Sequence, residues 1–144
     1  MDEARDNAVR WIKNSVLPGA GLPSADVNTI PYQEVTGYTI PTLWMLNEKE
    51  LAQRLISWLI SVQRPDGSFS APDGKPYTFD TGQVVRGLLT VIDEIPIVEK
   101  HIAKACDWIL TQIESSGRIT TPSKDLWYLP NGKMIPESIH LYVL

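Results

Sequence analysis

Cysteine is nearly absent from this 144-residue chain: Cys106 stands alone, so no intrachain disulfide can form and thiolate metal clusters are excluded. Between Ala105 and Asp107-Trp108 it reads as a small hydrophobe on a helix. No metal-ligand spacing, phosphate-binding glycine loop or Ser-His-Asp order occurs, and neither metal nor cofactor is expected. No Lys/Arg run exists to follow a phosphate backbone, and the net charge of −4 argues against nucleic acid as a partner. Apolar stretches fall far short of about 20 residues, which predicts no membrane span. Met1-Asp2-Glu3-Ala4-Arg5 lacks the basic start of a signal peptide, so a cytoplasmic protein is expected.

What remains is an ordinary globular composition, 43% hydrophobic and 21% charged, with room for one core. A single domain over residues 1–144 is expected. Within it the chain repeats itself. Pro31-Tyr32-Gln33-Glu34-Val35-Thr36-Gly37-Tyr38 matches Pro76-Tyr77-Thr78-Phe79-Asp80-Thr81-Gly82-Gln83 at an offset of 45, with a weaker third copy at Glu137-Ser138-Ile139-His140. A second repeat precedes the first: Ala4, Ala8, Trp11 and Ile12 share their spacing with Leu51, Leu55, Trp58 and Leu59, and with His101, Ala105, Trp108 and Ile109. That spacing marks one face of an α-helix. Gly67 and Gly117 each follow a tryptophan by nine residues and suit a helix end.

Two kinds of helix therefore alternate. Residues 3–17, 48–64 and 97–115 are amphipathic. Residues 37–47, 81–94 and 138–144 are almost free of charge and must be buried on nearly all sides. The three tryptophans belong to the core on this pattern, and His101 to the surface of an outer helix. Outer helices around inner ones predict an all-α fold: three outer/inner helical hairpins of an α/α toroid, forming a partial ring. Proline- and Asp-Gly-rich loops before the inner helices cover one end of it.

Trp58 to Phe69, with Gln63 and Gly67 at its centre, resembles the Gln-x-x-x-Gly-aromatic repeat of the terpenoid cyclase and protein prenyltransferase toroids. The resemblance implies that the glutamine and the aromatic tie an outer helix to its neighbour. Residues 34–43 and 79–84 are similar to paired signatures of prokaryotic toroid proteins linked to polysaccharide biosynthesis. This narrower resemblance implies a sugar or glycan as ligand. The Asp-rich motifs of terpene cyclases and the zinc ligands of prenyltransferases have no counterpart here.

Each inner helix opens with a polar cluster. Asp80 with Gln83 reads as a capping box, and Pro41 fits a first turn if regular helix begins near Thr39. The three N-termini point their free N–H groups to one face, where a polyhydroxylated or anionic ligand fits. Tyr38, Gln83 and His140 occupy equivalent positions yet differ, which predicts that they face a cavity. Glu34, Asp80 and His140 are the candidate acids and bases, with Glu137 beside them and Tyr38 as a hydrogen-bond donor. Tyr32, Tyr77, Trp127 and Tyr128 are candidate stacking surfaces for sugar rings. Each has a structural alternative: Asp80 as a cap, Glu34 and Glu137 as solvated carboxylates, Tyr32 and Tyr77 as packing residues.

The resembled toroids close with more hairpins than three. Further hairpins in a longer chain, a homodimer that completes the ring, and an open half-ring that binds another protein all fit. A glycan-active or glycan-binding protein leads the functional expectations. A non-catalytic helical scaffold and an isoprenoid-binding protein are the alternatives.

Overall fold

The periodicity of the tryptophan-bearing segments becomes helix in the computed structural model, which describes residues 2–25 and 29–122. Helix α1 runs over Asp2–Ser15, α2 over Gln33–Met45, α3 over Lys49–Val62, α4 over Thr78–Leu89 and α5 over Glu99–Leu110. A short 3-10 turn, Pro96–Val98, leads into α5. The fold is all-α: among the described residues no strand forms, and the loops close on isolated bridges such as Pro23 to Pro31 and Ser70 to Pro76. The third inner helix expected at 138–144 lies outside the described residues, as do Trp127, Tyr128, Glu137 and His140.

The charge-poor helices α2 and α4 pack against each other at the centre, with α3 against α2 and α5 against α4. They run in the same direction. Tyr32 meets Asp80 at their starts, Gly37 meets Val84 further along, and the Trp44 indole N–H donates to Glu94 at 2.8 Å beyond their ends. The main core joins Ile40, Phe69, Val84 and Leu88 to Leu59 of α3 and Ala105 and Trp108 of α5.

Pro41 sits in the interior of α2, not in a first turn, because the helix begins at Gln33. Proline has no N–H, so the Gly37 carbonyl loses its partner one turn back. Gly87 of α4 faces that same carbonyl: a Cβ there would lie 2.1 Å from the oxygen. The absent N–H and the absent side chain together let the two backbones touch, a contact of the Cα–H···O kind. This close approach sets the spacing of the inner helices and brings their first turns together.

Both inner helices start earlier than their charge pattern predicts, at Gln33 and Thr78. Tyr32 and Tyr77 stand at the N-caps in extended conformation without side-chain caps. The repeated threonines secure the incoming loops instead. Thr36 Oγ1 accepts the Leu22 N–H at 2.9 Å, and Thr81 Oγ1 accepts the Phe69 N–H at 3.1 Å. Tetherings of this kind explain why Thr36 and Thr81 recur.

Gln63 bears out the link implied by the glutamine repeat. Its Nε2 donates to the Gly67 carbonyl at 3.0 Å and to the His101 carbonyl at 2.9 Å, while its Oε1 lies 2.5 Å from His101 Nδ1. His101 is thus half-buried and engaged, not a surface residue, because the turn after α3 docks on the start of α5. Gly67 has φ +95 and a Cβ would meet the Lys104 carbonyl oxygen at 2.2 Å, so only glycine fits there.

The tryptophans part company. Trp108 is buried and Trp58 packs on Gly21, where a Cβ would lie 2.3 Å from the ring. Trp11 is 57% exposed, against the expectation of a core residue. Helix α1 is held at the α2–α3 corner by Arg5 donating to the Leu46 carbonyl at 3.3 Å and by the Lys13–Glu48 pair at 2.7 Å, with no described element covering the indole.

Candidate functional site

The first turns of α2 and α4 bring Tyr32, Glu34 and Asp80 together. Asp80 is the third residue of α4, 3% exposed, and its Oδ2 accepts the Tyr32 hydroxyl proton at 3.0 Å. Glu34 lies near enough to act on that hydroxyl and on Asp80. Asp80 does not form a capping box with Gln83. Its carboxylate is taken up across the inner-helix interface, and the helix start is satisfied elsewhere: the Thr78 N–H donates to Thr121 Oγ1 at 3.3 Å.

The electrostatics follow from three acidic groups in one partly closed place. Burial pushes the Asp80 carboxyl up to about 7, Glu34's charge adds to the rise and Asp73 adds less, while the bond from Tyr32 opposes it. Burial also raises Glu34, again with Tyr32 opposing. The Tyr32 phenol is held far above its ordinary value by burial, then by Asp80 and Glu34. A carboxyl that titrates near neutrality can both give and take a proton at physiological pH. The carboxamide oxygen of Gln33, on the residue between Tyr32 and Glu34, is buried with no hydrogen-bond partner.

The remaining candidates divide. Tyr38, 46% exposed, lies one turn beyond Glu34, and its phenol is raised by burial and then by Glu34. Gln83 is buried one turn beyond Asp80, at the same end of the parallel pair. Tyr77 is 2% exposed and its hydroxyl donates to Asp73 Oδ2 at 2.8 Å, so its ring offers no face to a ligand. The two repeated tyrosines therefore do different work: Tyr77 pins its own loop, and Tyr32 reaches the next hairpin. The cross-hairpin bond was not foreseen from sequence. Its signal was present, since Asp80 places an acid where the first copy has Val35.

No family model and no curated protein matches the chain. A solved structure does. It is described as a novel alpha-amylase from Clostridium perfringens, and the superposition gives a TM-score of 0.61 at 14% identity. The match covers 78% of this chain and 39% of the other, so this chain spans about two-fifths of that protein's length. At such identity the likeness is one of fold.

Proposed function

We propose that this protein is a carbohydrate-active or glycan-binding α/α-toroid protein whose site lies at the N-terminal ends of its inner helices. The observation that carries the proposal is the bond from Tyr32 to Asp80 with Glu34 alongside. Asp80 serves as the acid or base, Glu34 sustains its raised proton affinity, and Tyr32 orients it. A polyhydroxylated ligand brings further hydroxyl donors and acceptors to these carboxyls. Among proteins of this helical shape, one is described as an alpha-amylase, which favours a sugar polymer over other polyols. Acid–base chemistry suits this group better than nucleophilic attack, because Asp80 is buried and one of its oxygens already holds the Tyr32 hydroxyl.

The test is a reducing-end assay on starch, xylan, pectate and a cellulose oligomer, with calorimetry for binding. Turnover or binding by the wild type, with turnover lost in Asp80→Asn, is the expected result. An absence of both turnover and binding refutes the proposal. A second reading, a helical module for a protein partner, draws on the exposed apolar side chains Met45 and Leu110. Cross-linking to a protein partner with no response to any sugar would favour it.

A further inference from the structure

A cavity of about 260 Å³ lies between α1, α2 and the loop after α1. Its lining includes Trp11, Ile12, Leu22, Val35, Tyr38 and Thr42. We infer that this cavity is a subsite for one sugar ring of the glycan, with Trp11 and Tyr38 as its aromatic faces. The inference rests on the functional reading above and names where its ligand sits.

The repeat shows what is unusual about this place. Leu22 and Phe69 are equivalent, since each gives its N–H to the repeated threonine of the following helix. In the second copy Phe69, Leu59 and Val84 are fully buried and fill the corner between outer and inner helix. In the first copy the corresponding residues are Leu22, Ile12 and Thr39, and all three line open space. Leu22 is buried among Leu43, Leu51 and Leu55 but is smaller than Phe69 and fills less of the corner, while Thr39, isosteric with Val84, adds a hydroxyl to the wall. Trp11 is exposed at its edge, whereas Trp58 of the second copy is partly buried and Trp108 of the third is buried.

The lining is mostly apolar and carries two aromatic side chains. A sugar ring has an apolar C–H face, which stacks on aromatic side chains, and a rim of hydroxyls. Thr42 and Ser24 stand among the apolar lining residues. Tyr38, at one end of the cavity, lies one turn beyond Glu34 on α2. Leu22, in its lining, is tied to the start of the same helix, its carbonyl accepting the Tyr32 N–H at 2.7 Å.

Calorimetric titration with maltoheptaose, xylohexaose, cellohexaose and oligogalacturonate tests the subsite. The wild type should bind at least one. Trp11→Ala should weaken that binding about five- to tenfold, the scale of one lost aromatic contact. Leu22→Phe, which copies the second hairpin, should abolish binding while raising the Tm. Undiminished binding in both variants overturns the subsite and leaves the carboxyl site standing. No binding of any oligosaccharide by the wild type overturns both. Farnesyl diphosphate binding that is lost in Trp11→Ala, without sugar binding, also overturns the assignment.

Discussion

Asp80 should make the folded state less stable as pH rises across the neutral range. Its folded carboxyl titrates at about 7, whereas an aspartate in the unfolded chain titrates near about 3.9. The native state therefore holds a proton that the unfolded state has released. Stability from this group is fully present below about pH 4 and is lost as pH climbs through about 7. A displacement of about three pH units corresponds to about 4 kcal/mol at most. Glu34 contributes part of it, so Glu34→Gln should make the decline shallower. Groups shifted the other way, Asp66 and Glu94, act in the acid range, while Glu34, raised like Asp80, acts in the same sense as Asp80. Urea unfolding of wild type and Asp80→Asn at half-unit pH steps isolates the Asp80 share as the difference. Asparagine keeps an acceptor for Tyr32 and carries no charge, so its curve should lack the decline and lie about 2–4 kcal/mol higher at pH 8. Parallel curves for the two proteins would refute the burial argument.

Gly87→Ala drives a methyl into the Gly37 carbonyl, 2.1 Å from the oxygen, and should cost about 3 kcal/mol of overpacking less about 1 of helix propensity; chemical denaturation measures the net loss of about 2. Gln63→Ala removes the bonds to the Gly67 and His101 carbonyls and to His101 Nδ1, and should cost about 2–3 kcal/mol by the same measurement. His101 is held below its ordinary value by burial and then by Lys100 and Lys104. Its contribution is present above about pH 6.5 and lost as pH falls, so a urea series on His101→Gln should show less acid-side loss than wild type.

Helix type and order were legible because they depend on periodicity, which no tertiary contact reverses. The ends of the inner helices were less so. Charge-free sequence marks what is buried, but the helices run back through Glu34 and Asp80, acidic residues whose burial depends on a partner in another hairpin. Pro41 misleads for a related reason. Alone it signals a helix start, and only the arrival of Gly87 from α4 makes its missing N–H an advantage. The tryptophans make the same point: identical spacing fixes the face that each occupies, while burial depends on the next element. Trp58 meets Gly21, Trp108 meets the main core, and Trp11 meets open space.

Repetition and divergence carry different information in this chain. Thr36 and Thr81 remain threonine because each must hold a loop at the same backbone distance, and any residue without a hydroxyl leaves the Leu22 or Phe69 N–H buried without a partner. No such constraint holds Val35 against Asp80, or Leu22 against Phe69. Substitution at those positions alters the corner between the hairpins and leaves each hairpin's own tether intact. Asp80 there acquires a tyrosine from the preceding copy and a proton affinity near neutrality, and Leu22 leaves a cavity that opens beside it. The two positions adjoin through Tyr32, whose N–H donates to the main-chain carbonyl of residue 22, whatever its side chain, and whose hydroxyl donates to Asp80.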